Sequence, residues 1–350
     1  MQNEVLKHVN LPVSCLAVSC YNPPMIDGSS RQIVTAPFMG RFPELEIPLK
    51  RAEQIRLAFD RLRNLNLIED RYDLAIANYR SLEEGLLLAA LDHLVYDDAP
   101  LADSFHISRR FARHLSNLFS SCRMYFDHTP RLLSGAFPDV ASLFRDARHA
   151  SFDSSFEYRL SEGLRNHMQH YSTPFRTTRG SSRVYDADES IFVFHTTLSV
   201  VVSELLVDSS LPSGLRRELE ALNGDIIPLD DVIRTYMFHV SEIHHAVREA
   251  TKSLFAEDTD TIRTIFEEYE ELFPELRKVT HRSLLVCTWP AGALVPESHW
   301  ELNDVVVEII EVLRRRNQRL EGLPRSYVTG MPAKQIRQWQ QRSFRESSGR

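Results

Sequence analysis

Between about residue 48 and residue 320 the apolar positions recur every three or four residues, a period that predicts a helical protein. Ile55, Phe59, Leu62 and Leu65 share one face of a helix predicted from Pro48 to about Leu67. A second runs from Tyr72 to Tyr96 with Leu74, Leu82, Leu86, Ala89, Ala90 and His93 as its buried stripe and Asp70 as its cap. Ser81-x-x-Glu84 has the form of a capping box, which leaves open a division of that helix into two. Pro100 opens a helix to about His128, with Phe105, Phe111, Leu115, Leu118, Phe119 and Tyr125 inward. Pro130 and Pro138 bracket a loop or short helices before a long helix over 152–172. Further patterns predict a short helix at Pro212–Leu222, a long one at Pro228–Phe255, and helices at Thr259–Leu272 and Glu301–Leu320.

Two stretches break the helical period. Residues 190–203 alternate, with Phe192, Phe194, Thr196, Leu198, Val200 and Val202 on one side and His195, Thr197, Ser199 and Ser203 on the other; period two predicts a half-buried strand or hairpin. Residues 1–48 carry turn signals at Asn22-Pro23-Pro24 and Asp27-Gly28, and predict short strands such as Cys15–Ser19 and Gln32–Thr35. Arg176 to Arg183 is polar and basic without an apolar anchor and reads as a loop, while Ser283–Thr288 reads as a strand. The expected fold is mainly α: a helical bundle over 49–275 with a small β insertion near 183–203, an extended segment over 1–48, a strand and helix segment over 276–320, and a mobile basic tail over 321–350.

Composition narrows the picture only a little. Hydrophobic content of 43% and charged content of 25% are those of a globular protein, and a net charge of −7 gives no general attraction to a polyanion. Nucleic-acid binding would need a local patch. Cys15, Cys20, Cys122 and Cys287 have no zinc spacing, which predicts reduced thiols and a cytoplasmic protein. The most apolar runs, Leu86–Leu91 and Ile191–Val207, are too short or too interrupted to span a bilayer, so no membrane association is expected. There is no glycine-rich phosphate loop, no nucleophile elbow and no paired-histidine zinc motif; His239 and Glu242 share a helix face without a third ligand, and no metal or cofactor is predicted.

Candidate chemistry gathers at the end of the 152–172 helix, Phe-Glu-Tyr-Arg-Leu-Ser-Glu-Gly-Leu-Arg-Asn-His-Met-Gln-His-Tyr over 156–171, which Pro174 stops. Glu162, Asn166 and His170 lie one turn apart on a single ridge. Arg165 and His170 are about 140° apart around an ideal helix, so one small ligand meets both only across bent side chains or a symmetric pair of helices. Arginine also stands five residues before histidine at Arg109/His114, Arg123/His128 and Arg234/His239; Asn166 and the helix end set Arg165/His170 apart. A guanidinium fork suits phosphate oxygens, and histidine exchanges a proton near neutral pH.

The Arg165-Asn166-x-x-x-His170 run resembles the HEPN family (higher eukaryotes and prokaryotes nucleotide-binding), helical bundles that often act as metal-independent ribonucleases in toxin and phage-defence systems. The resemblance implies His170 as proton acceptor from a ribose hydroxyl, Arg165 on the phosphoryl oxygens and Asn166 orienting either. It places His167, Gln169, Arg176, Arg179 and Arg183 against the substrate and gives Glu162 a supporting role. It further implies RNA or a nucleotide as ligand, a homodimer and an antitoxin partner. The family often sets an acid from a preceding helix against this motif, and Glu83, Glu84 and Asp92 are the candidates by spacing. Beside that stands a second reading: a non-catalytic helical interaction or scaffold protein, in which the polar helix end is part of a buried hydrogen-bond network.

Overall fold

The structure, a computed structural model, describes residues 30–37, 42–95, 101–171, 174–185, 190–222, 224–278, 282–293 and 295–320. The strand expected at Cys15–Ser19 and the tail over 321–350 lie outside these residues. In chain order come β1 (Arg31–Thr35), β2 (Leu45–Ile47), α1 (Leu49–Val95), α2 (Leu101–Ala136), α3 (Pro138–Ser154) and α4 (Phe156–His170). β3 (Phe175–Tyr185), β4 (Ser190–Val201), α5 (Val202–Leu206), α6 (Ser213–Glu220) and β5 (Ile226–Pro228) follow. The chain continues through α7 (Leu229–Ala250), α8 (Lys252–Leu272), a 3-10 turn at Pro274–Lys278, β6 (Ser283–Trp289), β7 (Ser298–Asn303) and α9 (Val305–Arg316). The protein is thus mostly helical, with two small antiparallel sheets.

These elements form two compact units, Met1–Glu69 with Ala250–Arg316 and Asp70–Glu249 with Asn317–Arg350. The first holds a sheet in the order β2-β1-β6-β7, whose register runs from Arg31 opposite Trp289 to Thr35 opposite Leu285. Its core takes Ile33, Val34, Ile55, Leu62, Ile265 and Phe266, all nearly inaccessible to water. Tyr269 ties the sheet to α8: its hydroxyl accepts from the Ala36 amide (2.9 Å) and donates to the Pro43 carbonyl (2.9 Å). The second unit packs the rest of α1 with α2, α3, α4 and α7 around aromatic rings. His244 stacks on Tyr72 with centroids 3.8 Å apart and meets the Tyr125 hydroxyl at 3.0 Å. Phe126, Phe144, Tyr158 and Tyr236 complete this core.

The structure departs from the periodicity where a local signal loses to tertiary packing. α1 is continuous, so neither Asp70 nor the Ser81-x-x-Glu84 signal interrupts it; no glycine or proline lies between Leu49 and Arg80 to break the ladder. On its second half Tyr72, Ala75, Tyr79 and Leu82 face inward and Leu74 lies outside, 43% exposed. α2 passes through Pro130, losing one hydrogen bond without ending, and Pro138 then opens α3. The helix expected over 152–172 is broken at Ser155, whose backbone is extended and whose hydroxyl accepts the Tyr158 amide at 3.1 Å. The stretch read as a polar loop, 176–183, is strand β3, paired antiparallel with β4 from Phe175 opposite Val200 to Tyr185 opposite Ser190. Similarly, 298–303 pairs with β6 as β7 and the C-terminal helix starts only at Val305.

Candidate functional site

Arg165 and His170 sit on the same last turns of α4 in different surroundings. The Arg165 side chain is only 11% exposed, and its Nη2 lies 3.5 Å from the Glu162 carboxylate one turn back. Glu162 in turn accepts the Tyr236 hydroxyl from α7 at 3.0 Å, and Arg148 of α3 approaches it at 3.7 Å. Two cations and a phenol therefore converge on one buried carboxylate, which burial alone would destabilise. Burial, and then the negative charge of Glu162, hold the Tyr236, Tyr158 and Cys122 protons in place well above their ordinary ranges. Arg148 also lies over the Phe126 ring, 4.7 Å from its centroid. Nothing here behaves as a surface salt bridge.

His170 and Gln169 are exposed beyond that network, and Asn166 is half-buried between them. Among the described residues no hydrogen bond joins Asn166 to His170. Arg176 starts β3 exposed and pairs with Glu204 at 2.9 Å. Arg179 and Arg183 stand in β3 at the register positions opposite Thr196 and Phe192.

His167, expected against the substrate, is inside: 2% exposed, with Nδ1 3.2 Å from Asp208, itself fully buried. Asp208 is organised from all sides. Its Oδ1 accepts the Ser210 amide (2.8 Å) and hydroxyl (2.6 Å), and its carbonyl accepts from Arg216 (2.6 Å). Burial pushes the Asp208 carboxyl up, but the Ser210 hydrogen bonds and His167 outweigh it and hold the group below its ordinary value. Tyr171 lies flat on His167, with centroids 5.2 Å apart and planes 7° from parallel. The His167 Nε2 is buried without a partner.

The acid expected against the motif from a preceding helix is engaged elsewhere. Glu83 forms a two-pronged pair with Arg234 of α7 (2.9 and 3.0 Å) and accepts the Tyr79 hydroxyl at 2.7 Å. Glu84 pairs with Arg80, and Asp92 approaches Arg110 at 4.0 Å. Sequence reasoning passed over Asp208, Tyr236, Arg148 and Arg234. Asp208 left a trace in the Asp-Ser-Ser turn signal at 208–210, and Arg234 was met only as the partner of His239 in sequence. Among the described residues no group of three or more His, Cys, Asp and Glu side chains is set to hold a metal, and no helix is long and apolar enough to cross a membrane.

Comparison with family models, curated proteins and solved structures finds no match for this chain.

Proposed function

We propose that this chain is a non-catalytic helical interaction protein, in which the polar end of α4 anchors the bundle. The observation that carries this reading is the burial of Arg165 against Glu162, with Tyr236 and Arg148 on the same carboxylate. Glu162 joins α4 to α7 through Tyr236 and to α3 through Arg148, and the arginine turned onto it is not free to receive a phosphate. A row of apolar side chains on α1, namely Leu87, Leu88, Leu91 and Val95, is 46–60% exposed, the kind of surface by which interaction proteins dock.

A second reading is a metal-independent endoribonuclease of HEPN type, acting on RNA or a nucleotide as a homodimer with an antitoxin partner. The exposure of His170 and Gln169 favours it: a second copy meeting this helix end would bring two exposed histidines into one cleft. In that case His170 is the general base and the reaction proceeds without a metal.

One experiment separates them. Thermal melts and RNA incubation in EDTA are run on the wild type, Arg165→Ala and His170→Ala. The interaction reading expects Arg165→Ala to lose roughly 1–3 kcal/mol, because Glu162 loses a buried partner, with His170→Ala unchanged and no cleavage by any of the three. Cleavage by the wild type that His170→Ala abolishes at unchanged melting temperature would establish the ribonuclease instead.

A further inference from the structure

Within the helical unit, α1 carries two stripes. Tyr72, Ala75, Tyr79, Leu82 and Ala89 are buried in the bundle core. Away from them, Leu74, Ala77, Ser81, Glu84, Leu88, Leu91 and Val95 follow one another at alternating steps of three and four residues. That is the 3.5-residue repeat of a helix that pairs with a second helix. None of the seven is buried, and the leucines and the valine run from 43% exposed at Leu74 to 60% at Val95. A bundle helix needs one apolar stripe, and its outward face is ordinarily polar. Here the outward face bears a second stripe, spaced for pairing.

Building on the interaction reading, we propose that two copies of this chain pair along the outward stripe of α1 as an antiparallel coiled coil, about a two-fold axis between Leu82 and Glu83. The order of residues along the stripe selects both the partner and the direction. With the axis there, Leu74 meets the partner's Leu91, Ala77 meets the partner's Leu88, and Ser81 meets the partner's Glu84. Each of these leucines finds an apolar residue, and the polar positions fall together at the centre. A polar middle flanked by apolar ends is mapped onto itself by a two-fold rotation, as an isologous contact requires. Arg80 lies beside the central pair. Its side chain is 74% exposed and reaches Glu84 of its own chain at 2.7 Å, so the centre holds two carboxylates and two guanidiniums in balance. A parallel pair in register would instead set Glu84 on the partner's Glu84, like charge on like charge.

Sedimentation equilibrium of the full chain from about 1 μM to about 1 mM tests this, and a monomer–dimer equilibrium is expected within that range. Arg80→Glu places four acids at the centre and Glu84→Arg four arginines, so each variant is expected to associate about tenfold or more weakly. Mixed one to one, the two variants restore the charge balance and are expected to associate as the wild type does. Both positions are exposed, and circular dichroism checks that each variant keeps its helix content. The interaction reading is decided separately, by the Arg165→Ala melt and the RNA incubation, which do not depend on association. A wild type that stays monomeric throughout overturns the coiled coil, whether the row is then covered by another protein or by another part of this chain. A dimer that both charge variants leave unchanged overturns it too, because such a dimer forms elsewhere. So does a mixture that associates no better than either variant alone.

Discussion

At the residue scale the most demanding group is Asp208. It is a fully buried carboxylate that survives because Ser210 gives it two hydrogen bonds and His167 a third. Its carboxyl sits below the ordinary range, so its contribution is present above the ordinary aspartate value and is lost as pH falls through the lower, folded value. Asp208→Ala is therefore expected to lose about 1–3 kcal/mol at pH 7, and to lose less on further acidification than the wild type does. Urea titrations at pH 7 and pH 3.5 check this; an equal loss at both would mean that the carboxylate charge is not what holds the turn. The pair also shows where sequence reasoning stopped. His167 and His170 are equally polar on paper, three positions apart, and only the position of Asp208, forty-one residues on, decides which goes inside. Arg165 repeats the point, since nothing in its own neighbourhood announces Tyr236 or Arg148.

At the element scale, α4 is fixed as much by what it lacks as by what it carries. A Cβ built on Gly163 would lie 2.5 Å from Leu215 Cδ2 of α6 and 3.5 Å from Leu211 Cδ2, so the leucine side chains occupy the space a larger residue would need and Leu215 must shift to admit one. Gly163→Ala gains helix propensity of up to about 1 kcal/mol, but overpacking a site where Leu215 is 2% exposed costs about 1–3 kcal/mol. A net loss near 1 kcal/mol is expected, recovered in part by Leu215→Ala in the same chain; chemical denaturation of the two single variants and the double variant reads the coupling. Helices were the legible elements, because a buried stripe imprints its period: Ile55, Phe59, Leu62 and Leu65, or Phe111, Leu115 and Leu118, are inside as their spacing implies. β4 was equally plain from its alternation. β3 was not, since its own residues carry no apolar alternation and its strand form comes from pairing with β4, and β7 was not, since its strand form comes from pairing with β6. Capping-like signals at Asp70 and Ser81 proved weaker than the continuity of α1, while Ser155, a true cap, was hidden inside a long helical pattern.

At the scale of the whole molecule the chain closes two units from distant segments, and each unit has its own buried polar clasp. In the unit that holds the β2-β1-β6-β7 sheet, Arg61 of α1 grips Asp258 of α8 with both prongs, one at 2.8 Å, and Asp258 is 1% exposed. In the helical unit, Asn317 beyond α9 is 4% exposed; its amide donates to Asp73 at 2.7 Å and its carbonyl accepts from Arg248. Neither clasp was visible in the sequence, because one joins residues 197 positions apart and the other residues 244 and 69 apart, and such separations carry no period. They lead to a prediction about cooperativity. Removing one partner of a buried ion pair leaves the other charged and desolvated, so Asp258→Ala is expected to cost about 3–5 kcal/mol. Asn317→Ala gives up one neutral-to-charged hydrogen bond and is expected to cost about 1–2 kcal/mol. If the two units open separately, amide exchange in Asp258→Ala rises through β1, β6 and α8 and leaves α2, α4 and α7 as slow as in the wild type, and Asn317→Ala does the reverse. Exchange that rises everywhere in both variants would show one cooperative body, in which the long continuous α1 transmits the loss from either clasp to the other.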